Sequence, residues 1–292
     1  MTGHILALIT ILIWGTTFIS TKILLVDFQP IEILFIRFII GFFTLLIIDP
    51  HILKVKNRKQ EITFVFAGLF GVCLYYLLEN IALTYTLASN IGVIISVAPF
   101  FTALLLQLFY KDHEKLNIRF MIGFITALIG ISLISFQDQH LQLNPLGDFL
   151  ALVAAFIWAC YSILVKKIAG YGYRTIQTTR RIFMYGLLFM VPALFFFNFQ
   201  LKFNLLMKPA NLLNMLFLGL GASALCFVTW NEAVKRLGAA KTSAYIYLVP
   251  LITLITSVIV LKENMNFMTI LGALLTIVGL FISEDKRRNE NE

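Results

Sequence analysis

Charge is what this sequence has least of. Only 13% of its 292 residues are Asp, Glu, Lys or Arg, while 60% are hydrophobic. A water-soluble domain carries about twice that share of charge. A fold in water would therefore have to leave a large apolar surface exposed, and a soluble globular class is excluded. Cysteine is nearly as scarce. Cys73, Cys160 and Cys226 all fall inside apolar runs, with no CxxC spacing, and read as small buried hydrophobes rather than a disulfide framework. The four histidines, His4, His51, His113 and His140, are scattered through a terminus and polar connections. No cluster of metal-ligating residues falls within an apolar run, so neither a metal nor another cofactor is expected. No ATP-binding motif is present, and no polar stretch is long enough for a soluble domain.

What is abundant is apolar sequence: 28 Phe residues and a mean hydropathy of +0.90. Crossing the hydrocarbon of a bilayer takes about 20 such residues. Ten candidate spans appear near 3–24, 30–49, 62–84, 88–110, 118–136, 147–168, 175–197, 211–234, 241–261 and 267–283. The first could pass for a signal peptide, but it has no basic leader and no small-residue cleavage site. The expected fold class is an all-α integral membrane protein of ten transmembrane helices, with the lipid bilayer as its partner. The net charge of +8 then has an explanation that does not involve nucleic acid, because Lys and Arg collect in cytoplasmic loops. Of the 23 Lys and Arg residues, sixteen fall on the side of the two termini, four on the other (Lys22, Lys202, Lys208 and Lys262), and three within or beside spans. Both termini are expected in the cytoplasm. With no organelle signal and a small size, the expected location is a bacterial inner membrane.

The chain also matches itself. Trp14 to Lys22 lies over Trp158 to Lys166, and the same offset places Arg37 on Arg181. At a slightly larger offset Gly68 meets Gly219, Asn80 meets Asn231, Pro99 meets Pro250 and Thr102 meets Thr253. Glu114, Gly123 and Gly130 meet Glu263, Gly272 and Gly279. The expected organisation is two five-helix repeats, 1–137 and 145–284, followed by a disordered cytoplasmic tail, 285–292. Because five is odd, the second repeat enters the membrane from the opposite side, which is the inverted-repeat architecture of many secondary transporters.

On these residues the chain resembles the EamA-like ten-helix families of the drug/metabolite transporter superfamily. The resemblance covers nearly the whole chain. It is carried by the Trp14–Phe18 stretch (WGTTF), the Arg of span 2, the Ala-Leu run after Asn80, the prolines within spans 4 and 9, and a Glu followed by a Gly-rich span in each half. It implies export or uptake of amino acids or other small metabolites, often in exchange with a proton or a second solute.

Several residues are candidates for that work. Trp14 and Trp158 lie about 15 to 18 Å into their spans, unlike the interfacial position usual for Trp. Either they line a central cavity with Thr16, Thr17, Tyr161 and Ser162 nearby, or they are helix-packing groups. Pro99 and Pro250 each remove a hydrogen bond near mid-span, giving either gating pivots or static kinks. Glu79 and Glu232 are carboxylates inside apolar spans, about 26 and 30 Å in, and such groups are functional candidates by default. Their depth favours gates or entry-path sites over a shared midplane proton site. Arg37 and Arg181, about 10 Å inside opposite ends, could pair with a glutamate or a substrate carboxylate, although snorkelling to the interface is the expected account. Asn80, Asn231 and Tyr76 complete the substrate-binding candidates, with Tyr75, Ser96, Tyr245 and Tyr247 read as packing groups. The glycines of spans 5 and 10 read as close helix contacts or a homodimer interface. The expected function is a secondary carrier, an exporter of small metabolites such as amino acids working by alternating access. A channel-like facilitator, or a non-transport membrane enzyme or receptor, are the alternatives.

Overall fold

A computed structural model describes residues 1–110, 118–135, 145–263 and 266–283. The expected tail 285–292, Glu114, His113, His140 and the loop lysines Lys111 and Lys115 lie outside the described residues. Among the described residues there is no β-strand, and eight helical segments are long and apolar enough to cross a membrane. They are α1 (Thr2–Leu24), α2 (Pro30–Ile48), α3 (Arg58–Tyr85), α4 (Ala88–Phe109), and, after α5, α6 (Pro145–Ala169), α7 (Thr175–Phe196), α8 (Pro209–Leu237) and α9 (Ala239–Leu261). The helices α5 (Ile118–Ser135) and α10 (Phe267–Ser283) hold shorter apolar stretches.

The local signals for these boundaries are legible. Pro30 and Pro209 open their helices, where a missing amide hydrogen costs nothing. Glu32 reaches back to the Gln29 amide at 2.8 Å to cap α2, and Asn57 accepts from the Gln60 amide at 2.9 Å to start α3. Gly238, at φ +83°, ends α8 in a conformation that an L side chain avoids.

The polarity runs inside out relative to a protein in water. Phe195, Phe196 and Ile47 are largely exposed on the outer face, while Thr10, Thr21, Arg37, Glu79, Asn80 and Ser162 are buried. An apolar exterior of this kind suits lipid, and the polar groups are turned towards other helices.

Helices from the two ends of the chain interleave. Helix α1 packs on α8 and α9, α6 packs on α3 and α4, and α2 packs on α7 and α8. Helix α3 also packs on α7, α4 on α9, and α5 along α10. Close approach demands glycine at two of these seams. A Cβ on Gly68 would lie 2.7 Å from the Gly186 nitrogen and the Ile182 carbonyl. On the other seam, a Cβ on Gly130 would lie 2.5 Å from the Gly272 carbonyl, and one on Gly279 2.5 Å from the Gly123 carbonyl. The glycines of α5 and α10 thus face each other within one chain, and this intrachain seam accounts for them without a dimer.

Prolines 99 and 250 do more than kink. Helix α4 is interrupted at Ser96 and Val97, and Pro99 sits in the first turn of the helix that resumes at Ala98. Helix α9 passes through a tighter 3₁₀ stretch, Ala244–Leu248, and Pro250 sits in the first turn after it. A proline in a first turn has no hydrogen bond to break, so each one restarts a helix instead of bending a continuous one. Helices α3 and α8 carry wider π-type turns at Leu69–Leu74 and Phe217–Leu225, a local irregularity common at functional positions.

The helix ends are tied by charge. At one end Asp49 meets His51 at 2.9 Å, Arg174 at 3.0 Å and Gln177 at 3.2 Å, and Arg180 donates to the Asp49 and His51 carbonyls. Beside them Arg181 holds Glu61 at 2.7 Å, and Tyr185 donates to the same carboxylate. At the other end Asp27 accepts from Asn211 at 2.7 Å and Lys208 at 3.2 Å, and Lys202 pairs with Glu32 at 3.3 Å. The hydrogen bond from His51, then the Arg174 charge, hold the Asp49 carboxyl below its ordinary pKa. Asn211 and Lys208 do the same for Asp27. Near that second end Glu263 accepts from the Ala88 and Ser89 amides at 3.0 and 3.3 Å, at the start of α4.

Candidate substrate site

Four helices deliver aromatic rings to one place in the middle of the bundle. Helix α1 brings Trp14, α6 brings Trp158 and Tyr161, α3 brings Tyr75 and Tyr76, and α8 brings Phe227 and Trp230. Trp14 stands edge-on to Trp158 with centroids 5.1 Å apart at 86°, and lies 5.1 Å from Trp230. Tyr75 lies 4.8 Å from Trp158, and Tyr161 5.0 Å. Such spacings are those of favourable ring pairs. The Trp14 indole donates to the Ala222 carbonyl at 2.9 Å, while the indole nitrogens of Trp158 and Trp230 are buried without a partner.

Beside this cluster lies a cavity with about 380 Å³ of empty space, its open mouth included. Trp14, Thr17, Tyr75, Tyr76, Glu79 and Trp158 line it, with Ile95, Ile246 and Val249 from the two broken helices. Five of the expected substrate residues therefore share one wall: Trp14, Thr17, Tyr76, Glu79 and Trp158. The two helix interruptions reach the same cavity, which is where an irregular backbone is tolerated at membrane depth.

The hydroxyls expected to line the site are mostly engaged elsewhere. Thr16, Thr17 and Ser162 donate to carbonyls of their own helices, and Tyr161 donates to Asn231 at 2.9 Å. The Asn231 amide donates in turn to Thr179 at 3.0 Å, so Tyr161 and Asn231 form a brace between α6, α8 and α7 rather than part of the cavity wall. Asn80 donates to the Pro30 carbonyl at 3.3 Å and ties α3 to α2, with its own carbonyl oxygen unpartnered.

The two glutamates part company. Glu79 is 1% exposed and lines the cavity. Its polar neighbours are the Tyr75 hydroxyl and the Arg37 guanidinium, and Oε1 has no hydrogen-bond partner. Counting along the helix put Glu79 near an outer gate, but the structure turns it into the central cavity. Glu232 accepts from Thr175 at 2.5 Å and from Arg236 at 2.7 Å and does not reach that cavity.

The arginines also diverge. Arg181 is half-buried against Glu61, the glutamate partner that its sequence position allowed. Arg37 corrects the expectation of snorkelling, because it is wholly buried. Its Nε donates to Ser223 at 3.0 Å, and its guanidinium lies 4.4 Å from the Tyr76 ring centre and 5.4 Å from that of Phe38. Helices α3 and α8 cover this position, and nothing in the sequence of α2 alone announces that cover. Tyr75, from the sequence a weaker cavity candidate read as a packing group, lines the cavity, while Trp230 and Phe227 are the aromatic cluster residues that sequence reasoning left out. The available signal for Trp230 was that it is the third of only three tryptophans.

Two stretches, residues 1–136 and 145–284, match the EamA-like transporter family. The chain belongs to that family. Among its relatives, a transporter of uncharacterised substrate from Archaeoglobus fulgidus is 28% identical over 97% of this chain and 98% of its own length. A probable amino-acid metabolite efflux pump from Escherichia coli K12 is 24% identical over 96% of this chain and 93% of its own. A protein crystal structure superposes with a TM-score of 0.71 at 17% identity, covering 96% of both chains, a likeness of fold alone. This EamA-like chain is thus a multi-pass membrane protein of a transporter family.

Proposed function

We propose that the protein is a secondary carrier for small metabolites of the amino-acid type, working by alternating access around the aromatic cavity. The observation that carries this reading is the convergence of Trp14, Trp158, Tyr76 and Glu79, from three different helices, on one buried cavity. Its aromatic walls suit an apolar side chain, and a carboxylate among them suits a polar end. The name of the Escherichia coli relative favours amino-acid export over other cargo.

In this reading all ten helices cross the bilayer as two inverted five-helix repeats, 1–137 and 145–284. The helix contacts support it because they come in exchanged pairs: α1 on α8 and α6 on α3, α1 on α9 and α6 on α4, α2 on α8 and α7 on α3. The surplus of Lys and Arg on the terminus side supports a cytoplasmic position for both termini, in this reading at a bacterial inner membrane. The interruptions before Pro99 and Pro250, both open to the cavity, let α4 and α9 bend as one end closes and the other opens. A proton or a second solute supplies the driving force.

Counterflow in proteoliposomes tests the reading. Labelled amino acid should accumulate transiently against an excess of unlabelled amino acid inside, and the effect of a pH gradient separates proton coupling from exchange. Uptake without stimulation from the trans side would instead mean a channel. If Trp14→Ala and Trp158→Ala both transport at the parental rate, the cavity is not the site.

A further inference from the structure

We infer that the site has two charged poles, with the Arg37 guanidinium receiving a carboxylate of the solute and the Glu79 carboxylate receiving its ammonium group. This deepens the reading of the aromatic cavity as the substrate site and rests on it.

Arg37 is the starting point. Arg174, Arg181 and Arg236 each have a carboxylate partner, and Arg180 has two backbone carbonyls. Arg37, although wholly buried, has only the Ser223 hydroxyl on Nε, and both terminal nitrogens are without a partner. A buried charge left in this way is strongly disfavoured unless something completes it. Ser223 on one edge and the Tyr76 face hold the guanidinium plane. That leaves free the paired N–H fork, which matches a carboxylate with two parallel hydrogen bonds.

Glu79 presents the complementary lack. No salt bridge joins it to Arg37 among the described residues, and Oε1 is free. Arg37 on the Tyr76 ring and Glu79 beside that ring on the cavity wall each keep unanswered hydrogen-bonding capacity, which a molecule carrying both signs on neighbouring atoms would satisfy. A zwitterion satisfies each pole and adds no net charge to the membrane interior, whereas a simple amine or a simple acid leaves one pole unanswered. Tyr76 separates the poles from one another, since it lines the cavity and carries Arg37 on its ring. A swing of that ring exposes the guanidinium fork to a solute already seated against Glu79 and the indoles.

The molecule contains its own reporter. All three tryptophans stand in the cluster at the cavity, so intrinsic fluorescence of the purified full-length protein reads this site alone. The probes are L-leucine, 3-methylbutylamine (leucine without its carboxylate) and 4-methylpentanoate (leucine without its amine). The expected result is that the parent protein binds leucine at least about tenfold more tightly than either analogue, a difference of about 1.4 kcal/mol. Arg37→Gln should erase the preference over the amine while keeping the preference over the acid. Glu79→Gln should do the reverse. Equal binding of leucine and 3-methylbutylamine by the parent overturns the proposal, and this comparison stands even if Arg37→Gln fails to fold. So does an Arg37→Gln protein that weakens both ligands alike, since Arg37 would then only be holding α2 to α8. Fluorescence silent to all three probes, while counterflow of another solute persists, overturns the two poles and leaves the carrier. Absence of counterflow for every solute overturns both.

Discussion

Two stretches of this chain match one family model, yet its two halves divide the chemistry unequally. In the first half Glu32 is held by Lys202, but Arg37 and Glu79 are wholly buried with hydrogen-bonding capacity to spare, Glu79 on the cavity wall and Arg37 against the Tyr76 ring. In the second half their nearest counterparts, Arg181 and Glu232, sit towards helix ends and are satisfied by Glu61, Arg236 and Thr175. The asparagines divide otherwise: both brace neighbouring helices, but Asn231 is fully satisfied while Asn80 keeps a free carbonyl oxygen. Two stretches that match one family model therefore need not hold the same site. One copy can keep the reactive charges while the other uses the same residue types to hold helix ends together.

The sharpest way to break this comparison is to remove the part the halves share. Trp14→Ala and Trp158→Ala should each lower counterflow by about thirtyfold or more, the scale of a buried aromatic anchor. A large loss for one and none for the other would mean that the aromatic site is as lopsided as the charges. The next effect separates the glutamates. Glu79→Gln should lower counterflow of the preferred solute by about tenfold, whereas Glu232→Gln should stay within about twofold, since it gives up only a half-exposed pair within one helix. Equal losses would erase the distinction. Scaffold symmetry is probed by Gly186→Val and Gly41→Val, one on each side of the α3–α7 and α2–α8 seams. Each introduces side-chain atoms where none fit and should cost about 1–3 kcal/mol of stability, read as a fall in the midpoint of thermal unfolding in detergent. The smallest effect concerns the ends. Asp27 and Asp49 both titrate below their ordinary value of 3.8, so their contribution is whole above that pH and is lost as the pH falls beneath it. Asp49→Asn and Asp27→Asn should therefore lower stability slightly at neutral pH and converge with the parent in acid, flattening the acid limb of the profile.

Much of this was readable in the sequence, and the gaps have a common cause. Hydropathy marks the spans because lipid contact needs apolar length, and the two stretches that match the family model can be matched to each other residue by residue without knowledge of packing. Depth along a helix also follows from simple counting, and Trp14 and Trp158, counted to similar depths, meet with ring centroids 5.1 Å apart. Counting does not say which way a side chain faces. Glu79 was assigned to a gate on depth, and Arg37 to the interface on the reach of its stem, because the neighbours that bury them lie on helices remote in sequence. The prolines misled for a related reason: a proline in an apolar run looks like a kink until the backbone before it is known to have already left the helix.

The contact between Glu263 and the first amides of α4 has a mechanical meaning. Those amides carry the positive end of the helix dipole, and the carboxylate that grips them comes from the chain beyond α9, with Lys22 close enough to feel its charge. A clasp made of charge and partial charge at a wet helix end weakens as counter-ions accumulate. Opening at that end should therefore quicken with ionic strength, so salt concentration becomes a throttle on turnover that acts away from the aromatic cavity.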